Sequence, residues 1–531
     1  MTPSSRVRPR RLATFAALLL LAPVLLAGQT TPPGTTIHVA AGGNLQEALD
    51  RARPGDVVQL AAGATYIGNF ILPRTDGTRP ITLRTAPVSG QPGTGTRVSP
   101  SHASRLATIR SPNATAALRT APGARGWRLL LLAFGPNAGG GDILLLGDGS
   151  NAQNRLDDVP ADLLVDRCYI YGDPVRGQKR GIALNSASTT IANSYIADIK
   201  LFGQDAQAIA GWNGPGPFHI ENNYLEASGE NFMLGGATPV IPGLVPSDVV
   251  FRRNHLARPV GWRSERWTVK NLFELKNARR VLVEGNLLEH HWQDAQPGYA
   301  IVLTPSGERG RAPWTTIEDV TFQYNVIRKV AAVFNLQGRD DSGPSERMQR
   351  IRIAHNLVYA VDRSVWGGNG TFLQVGDGPM DLIVEHNTVL HTGNVITAYG
   401  GTRDEPSTTP GFVFRHNLMP HNTNGVIGTG RAIGAETLAA FFPGGVFSRN
   451  VLAGGRASRY PAGNDFPEVQ QFLAEFISVA RHDYRLRRDS AFRRAAADGS
   501  DLGVNFAGLA DALGPRARDW LGLPGGSNGS R

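Results

Sequence analysis

The stretch Met348–Val361, MQRIRIAHNLVYAV, contains the short pattern that decides the fold. Within it, Ile353–Val358 (IAHNLV) places Asn three residues after one apolar residue and two before another. Ten segments share these two apolar positions: Val165–Ile170, Ile191–Ile196, Ile220–Leu225, Phe251–Leu256, Val283–Leu288, Phe322–Ile327, Ile353–Val358, Val384–Val389, Phe414–Met419 and Phe447–Leu452. Repetition at a steady period is typical of stacked units that share one core. The sequence therefore predicts a solenoid.

The fourth position of the pattern is Asn in eight copies: Asn223, Asn254, Asn286, Asn325, Asn356, Asn387, Asn417 and Asn450. Cys168 and Ser194 occupy it in the two earliest copies, and successive asparagines are 31, 32, 39, 31, 31, 30 and 33 residues apart. Asn tolerates the left-handed backbone of a tight bend, and its amide bonds to nearby backbone groups. We expect the eight asparagines to stack in one column, about 5 Å apart.

A second set of short apolar stretches lies between the asparagines: Ile143–Leu146, Gly181–Leu184, Leu272–Lys276, Ala300–Thr304, Val333–Gln337 and Phe372–Val375. Each has the length of a strand and ends near Gly, Asn or Pro. Two or three short strands in each repeat, with no helix between them, predict an all-β fold, a right-handed parallel β-helix with an Asn ladder.

A leucine-rich repeat is the alternative fold, because Met348–Val361 also fits its core pattern. Three features favour the β-helix. The period exceeds the roughly 20–29 residues of a leucine-rich repeat, leucine is not dominant, and the intervening segments have the character of strands.

Both ends of the repeat region have cap signals. Asn44 is suited to begin a short helix, Leu45–Arg53, before the strand Val57–Leu60. Val469–Val479 has apolar residues at helical spacing and predicts a lid over the last coil, whose strand edges need cover. We expect a β-helix over residues 36–460, a C-terminal capping segment over 461–515 and a flexible tail over 516–531.

The first 28 residues have the pattern of an export signal. Arg6, Arg8, Arg10 and Arg11 precede an apolar run, Leu12–Ala27, that is shorter than the about 20 residues of a membrane span. We predict a signal peptide over 1–28 and a secreted or periplasmic protein without a membrane span; a retained N-terminal anchor is the alternative. We expect the mature chain to be monomeric.

The net charge and the cysteine content limit the classes of binding partner and of cysteine chemistry that the sequence allows. The formal net charge of +10 falls to +6 without the four arginines of residues 1–28. An exported, mildly basic chain suits an acidic polysaccharide better than nucleic acid. The single cysteine, Cys168, excludes an intrachain disulfide and a cysteine-rich metal site.

Asn44–Tyr66 (NLQEALDRARPGDVVQLAAGATY) together with the Asn pattern resembles the pectate-lyase-like right-handed β-helix superfamily, over roughly Ile37–Leu452. Within it, the chain is most similar to secreted bacterial β-helix proteins of unassigned activity, distantly related to the alginate lyase and chondroitinase B family. The resemblance implies action on a polysaccharide in a groove along one sheet. These motifs specify the fold much more strongly than the chemistry.

Strand parity selects candidate site residues. If Phe273 and Leu275 face the core, Glu274 and Lys276 face outward together. Titratable, cationic and aromatic residues follow on this coil and nearby coils. The predicted catalytic residues are Lys276, Glu274, His291, Asp294, Arg339 and Asp340, and the predicted substrate-binding residues are Arg279, Arg280, His290, Trp292 and Asp341.

Cleavage of a uronate-containing glycan by a polysaccharide lyase requires a cation to neutralise the carboxylate, a base and an acid. Lys276, His290 or His291 would be the base, and Arg279 and Arg339 the neutralising groups. Glu274, Asp294, Asp340 and Asp341 would be acids or, with calcium as the cofactor, its ligands. The coil between Asn286 and Asn325 is enlarged, which is typical of a binding site in a repeat protein.

Other interpretations stay open. Glu274 and Lys276 would also form an ordinary surface ion pair. The chain has one glutamate where chondroitinase-type lyases have two near their lysine, and Arg415-His416 is followed by Asn417 instead of glycine. Hydrolysis by Asp340 with Asp294 or Asp341, epimerisation, and a non-catalytic glycan-binding or structural solenoid are the alternatives.

His355, His386 and His416 each precede a repeat asparagine. Stacked imidazoles suggest metal binding, but equivalent positions at a repeated bend also explain them, and we favour the bend.

Overall fold

The computed structural model describes residues 34–514 and Leu521. The predicted signal peptide, 1–28, and the predicted tail, 516–531 apart from Leu521, lie outside the described residues. Within the described part, no helix is long and apolar enough to cross a membrane.

The chain winds into a right-handed parallel β-helix, as the repeat predicts. Each full coil adds one strand to each of three parallel sheets, called sheets A, B and C in the order in which a coil visits them. The ladder asparagines lie between sheets A and B. The connections from sheet B to sheet C and from sheet C to the next strand of sheet A differ in length from coil to coil.

The described strands are as follows. Sheet A contains Thr36–Val39, Val57–Leu60, Ile81–Thr85, Trp127–Leu130, Leu163–Asp166, Ala187–Ala192, Gly216–Glu221, Ser247–Arg252, Ala278–Glu284, Ile317–Gln323, Gln349–Ala354, Met380–Glu385, Val413–Arg415 and Val446–Ser448. Sheet B contains Thr65–Ile67, Ala107–Arg110, Leu132–Phe134, Tyr169–Tyr171, Tyr195–Ile199, Tyr224–Ala227, His255–Ala257, Leu287–His291, Val326–Val330, Leu357–Val361, Thr388–His391, Leu418–Pro420 and Val451–Ala453. Sheet C contains Phe70–Leu72, Leu118–Thr120, Asp142–Leu146, Arg180–Leu184, Gln207–Gly211, Glu230–Leu234, Asn271–Leu275, Tyr299–Leu303, Ala332–Gln337, Leu373–Gly376, Ile396–Tyr399 and Val426–Gly428.

The described helices are short. The α-helices are Leu45–Arg51, Arg363–Trp366, Ala435–Phe441, Val469–Ala474 and Phe506–Leu513, and the 3-10 turns are Pro100–Arg105, Leu156–Asp158, Val260–Ser264, Ala457–Arg459 and Val479–Arg481. None repeats on successive coils, which rules out the leucine-rich alternative for the described chain.

The asparagine ladder is a continuous set of hydrogen bonds. The backbone N–H of Asn325 donates to Asn356 Oδ1 at 3.0 Å, and Asn325 Nδ2 donates to the same oxygen at 3.0 Å. Asn356 repeats both bonds to Asn387. Each amide also donates to a carbonyl on the preceding coil, as Asn356 Nδ2 does to Phe322 at 3.0 Å. The amides thereby satisfy backbone groups that the bend would leave buried without partners.

The ladder differs from the expectation in two respects. The left-handed residue at the bend is the one before the asparagine, as at His355 with φ of 54° and His386 with φ of 53°. The asparagine is therefore needed for its amide and not for its backbone conformation. The ladder also continues to Asn464, whose Oδ1 accepts from the Asn450 N–H at 3.0 Å.

The two ends are closed differently from each other. Asn44 caps the first helix by accepting the Glu47 N–H at 3.1 Å, as predicted. At the far end, Tyr460 covers the last coil: its hydroxyl is 2.7 Å from His421 Nε2 and accepts the Val426 N–H at 3.1 Å. The helix Ala435–Phe441 contacts the last strands of sheet C.

The segment predicted as a lid, Val469–Val479, is helical only to Ala474. It begins a C-terminal strap, residues 469–514, that includes an antiparallel strand pair, Phe476–Ser478 and Asp483–Leu486. The strap returns along the outer face of sheet B, where its apolar residues bury Leu287, Val326, Leu357, Leu418 and Val451. It therefore covers the side of the solenoid instead of its end.

Candidate functional site

The outer face of sheet C has a lysine at the end of its strand Asn271–Leu275. Phe273 and Leu275 lie in the core, so Glu274 and Lys276 face outward, as parity predicts. Lys276 Nζ lies 3.0 Å from Glu274 Oε1 and donates to Thr304 Oγ1 at 2.8 Å. The Lys276 side chain is 26% exposed, whereas that of Glu274 is 2% exposed. A ligand on this face can thus reach Lys276, whose amino group is paired with the buried carboxyl group of Glu274.

Asp340 belongs to the same edge of sheet C. The enlarged coil has its extra residues between Leu303 and Ile317, and Gly307 N in that loop donates to Asp340 Oδ2 at 2.7 Å. Ser342 donates twice to Asp340 Oδ1. Partial burial tends to raise the pKa of Asp340, but these hydrogen bonds and the charge of Lys276 lower it overall. Asp340 is therefore an ionised carboxylate beside Lys276.

Arg339 and Asp341 flank Asp340 in the loop after the strand Ala332–Gln337, and both are exposed. The predicted patch of Glu274, Lys276 and residues 339–341 thus lies at one edge of one sheet.

Four residues that strand parity did not select extend the site across the sheet. Glu230, the register partner of Asn271, is 1% exposed and accepts Gln207 Nε2 at 2.9 Å. Lys270 Nζ lies 2.5 Å from Asp205 and 3.8 Å from Glu230. Lys270 lies just before the strand Asn271–Leu275, and Lys276 lies just after it.

The protonation of Glu230 differs from that of an ordinary carboxylate. Burial raises the pKa of Glu230 well above its usual range, and the charges of Glu274 and Asp205 act in the same direction. Lys270 opposes this effect without cancelling it. Paired acids with contrasting environments are a frequent feature of functional sites.

Arg279 and Arg280 are not part of this patch. Both lie in the sheet A strand Ala278–Glu284, around the bend from sheet C. Arg279 Nε donates to Ser247 Oγ at 3.0 Å, and Arg280 pairs with Asp248 at 2.7 Å. The turn after Lys276 is so short that the next outward side chains face a different side of the solenoid.

His290 and His291 end the sheet B strand Leu287–His291, and 292–294 begin the loop that leads to the opposite edge of sheet C, where strands begin. His291 is completely buried and its Nδ1 accepts from Arg258 at 2.9 Å. Burial and the Arg258 charge lower the pKa of His291 well below its usual value, so it is a neutral structural residue.

Neighbouring residues of that loop also have structural contacts. Trp292 is 6% exposed in a cluster with Trp262, Trp267 and Trp366, which leaves no face for a sugar ring. Asp294 Oδ2 accepts the Val269 N–H at 2.8 Å. The His290 ring is 5.9 Å from that of Trp366.

Calcium does not fit the donor set. Within residues 34–514, no three His, Cys, Asp or Glu side chains are grouped as a metal would require. Both Asp340 carboxylate oxygens accept hydrogen bonds from protein groups, and Asp294 lies at the opposite edge of sheet C from Asp340.

The imidazoles of His355, His386 and His416 stack outside the ladder, with centroids 4.8 Å and 4.6 Å apart. Contacts with each other and with the strap account for them, in line with the bend interpretation.

Comparison with known proteins supports the fold. Neither the family models nor the curated proteins gave a match to the sequence. Among solved structures, the PL6 family alginate lyase AlyGC has a TM-score of 0.54 at 14% identity, covering 93% of this chain and 59% of the lyase. The chain thus spans less than two thirds of that enzyme.

Two further structures are similar at lower scores. One is a mannuronic acid specific polysaccharide family 6 lyase from human gut microbiota, with a TM-score of 0.41 and 14% identity over 83% of this chain and 93% of that one. The other is a GH87 alpha-1,3-glucanase from Streptomyces thermodiastaticus, with a TM-score of 0.43 and 14% identity over 82% and 70%. At 14% identity, the similarity to AlyGC shows a shared fold.

Proposed function

We propose that this protein is an exported carbohydrate-active enzyme, a polysaccharide lyase that cleaves an anionic, uronate-containing glycan on the outer face of sheet C. The observation that carries the proposal is Lys276, whose partly exposed ammonium is held by the buried Glu274 and by Thr304. The PL6 family alginate lyase AlyGC shares the fold at a TM-score of 0.54, which supports this substrate class.

The proposed reaction is a β-elimination centred on Lys276. Lys276 passes a proton to Glu274 along their 3.0 Å contact. Neutral Lys276 takes the proton from the carbon beside the uronate carboxylate. The electron pair of that C–H bond forms a carbon–carbon double bond, the glycosidic C–O bond breaks, and Lys276 returns the proton to the leaving oxygen.

The exposed guanidinium of Arg339 is the group that we assign to the substrate carboxylate, because neutralising that charge makes the adjacent proton removable. Asp340 holds the enlarged loop against Lys276 through its bond to Gly307.

Hydrolysis is the second candidate, favoured by one observation. Glu230 has a raised pKa and lies near Glu274, and hydrolysis requires a pair of carboxyl groups of which one can act as an acid. Their exposures of 1% and 2% place both carboxylates beneath the lysines, and for this reason we rank the lyase first.

A panel of polysaccharides tests the proposal, with the ultraviolet absorbance of unsaturated uronates as the readout. We expect the wild-type protein to generate this absorbance on an anionic glycan, and Lys276→Ala to abolish it with the fold intact. Lys329→Ala, on the sheet B strand Val326–Val330, is the matched control and should keep activity. New reducing ends without the absorbance would indicate hydrolysis, and binding without cleavage would indicate a non-catalytic solenoid; either result overturns the lyase.

A further inference from the structure

Four loops at the start of the sheet C strands carry exposed apolar side chains. Val175, Phe202, Val260 and Val365 are 74%, 66%, 44% and 48% exposed. Each lies in a loop that joins sheet B to sheet C, and each loop belongs to a different coil. Isolated exposed apolar residues are normal, but a group gathered on one edge indicates an interaction surface.

Hydrogen bonds join these four loops into one surface. The loop 258–270 contacts the other three: Arg266 reaches the Val175 carbonyl at 3.5 Å, and Arg263 reaches that of Val365 at 2.8 Å. The Gly203 N–H, next to Phe202, donates to Thr268 Oγ1 at 2.7 Å. We call Val175, Phe202, Val260, Arg263, Arg266 and Val365 the apolar–arginine ridge.

A rigid base supports the ridge. Trp262, Trp267 and Trp366 are 5–8% exposed and pack together beneath it. The Arg263 guanidinium lies 5.3 Å from the ring centroid of Trp366, and that of Arg266 lies 5.2 Å from that of Trp267. Cation–π contacts of this kind hold the arginines in place while leaving them exposed. The apolar side chains are therefore presented on a preformed surface.

The charge of the ridge indicates its partner. Within residues 34–514, neither Arg263 nor Arg266 has a carboxylate within ion-pair distance, because their bonds go to backbone carbonyls. Arg176, beside Val175, is 69% exposed but pairs with Asp173 at 2.8 Å, so the charge that is free to attract a partner comes from Arg263 and Arg266. Apolar side chains that enter the headgroup region, together with arginines that attract acidic headgroups, are the two contributions that hold a protein on a membrane surface.

We propose that the apolar–arginine ridge docks on the surface of an anionic phospholipid bilayer. A sugar polymer fits the ridge less well, because sugar rings stack on flat aromatic faces and three of the four apolar residues are valines. The proposal is independent of glycan cleavage. It places the edge of sheet C near Lys270 against the lipid and leaves the Lys276 edge open.

Vesicle co-sedimentation of the chain without residues 1–28 tests the docking. We expect binding to vesicles of phosphatidylcholine with phosphatidylglycerol and none to phosphatidylcholine alone, with binding reduced by salt. Each arginine near an anionic surface contributes roughly fivefold in affinity, so Arg263→Gln with Arg266→Gln should weaken binding about 30-fold. Phe202→Ser with Val260→Ser should also weaken it.

The matched control is Ile67→Ser, because Ile67 is 66% exposed like Phe202 but lies on sheet B. This variant should bind vesicles as the wild-type protein does. Equal binding by all variants, equal loss in Ile67→Ser, or no binding to the anionic vesicles would overturn the proposal. Loss of retention on an immobilised polyanion by the arginine variants, without vesicle binding, would assign the ridge to a polyanionic partner and would also overturn it.

Discussion

His416 Nδ1 lies 2.9 Å from His386 Nε2, and His416 Nε2 accepts the N–H of Ala497 in the C-terminal strap at 3.2 Å. A ring nitrogen that accepts a hydrogen bond has no proton, so the His416 proton is on Nδ1 and His386 Nε2 is the acceptor. Both imidazoles are therefore neutral, and protonating either acceptor nitrogen breaks a bond of this chain.

Acid should loosen the C-terminal strap. Burial lowers the pKa of His355 and His416 to about 4, and it lowers that of His386. In the unfolded chain the pKa of a histidine is about 6.5. Between about pH 4 and pH 6.5 the unfolded chain therefore binds more protons than the folded chain, and the free energy of unfolding falls as the pH drops. Amide hydrogen exchange within residues 469–514 should therefore be faster near pH 4.5 than near pH 7, after correction for the intrinsic rates.

Other charged groups also face the histidines. Arg352 and Arg415 both pair with Glu385, whose pKa they lower against the effect of burial. Hydrogen bonds from Ser500 lower the pKa of Asp498, on the strap, to about 2. His416→Gln should therefore weaken the pH dependence, and the exposed His38→Gln should not. An unchanged dependence in His416→Gln would contradict the assignment.

An interior rung of the asparagine ladder should be important for stability. Asn356→Leu removes the acceptor of the Asn325 N–H and the donor to the Phe322 carbonyl, and each buried group left without a partner costs about 1–3 kcal/mol. A denaturation curve should show this loss. The terminal rung is the control: Asn464→Leu should cost less, because Asn464 is partly exposed. Equal stability of Asn356→Leu and the wild-type protein would show that the rung is dispensable.

The fold was predictable because its determinants repeat. All ten copies of the pattern share the apolar spacing and eight have the same amide at the bend, so each copy supports the others. Parity within Leu272–Lys276 also placed Glu274 and Lys276 correctly, because an alternating strand leaves two faces. Asp340 was found because it leaves a strand two coils away in register.

The rest of the site depends on loops, for which no period exists. Glu230 and Lys270 meet only because one loop brings Lys270 to the start of its strand. His291 looked exposed, but Arg258, from a different loop, buries it. The path of the strap is set by apolar side chains on the outer face of sheet B, and the sequence alone does not distinguish these from core residues. The one available signal for Glu230 and Lys270 would have been the register of sheet C, in which Glu230 pairs with Asn271.

Arg258 should be essential for the fold of the site. It is fully buried and donates to the carbonyls of Ala227, Gly229 and Asn271 as well as to His291. Arg258→Met would remove the donor to His291 Nδ1 and one donor to each carbonyl, of which that of Gly229 keeps the Asn271 N–H at 3.1 Å. At about 1–3 kcal/mol for each buried acceptor left without a partner, we expect a loss of at least about 3 kcal/mol by denaturant unfolding. Arg280→Met, which breaks an exposed pair with Asp248, should cost only about 0–1 kcal/mol. Similar losses in the two variants would contradict the role of Arg258.

Glu274 should control the activity of Lys276 through its charge. Glu274→Gln keeps the size of the side chain and an acceptor for Lys276, but it removes the group that receives the proton. If the proposed elimination occurs, turnover should fall about 10²–10⁴-fold, the usual contribution of proton transfer, with little change in KM. Glu284→Gln is the matched control, because Glu284 accepts Gln323 Nε2 on sheet A, away from the site. Full activity of Glu274→Gln, or an equal loss in Glu284→Gln, would exclude Glu274 as the proton acceptor.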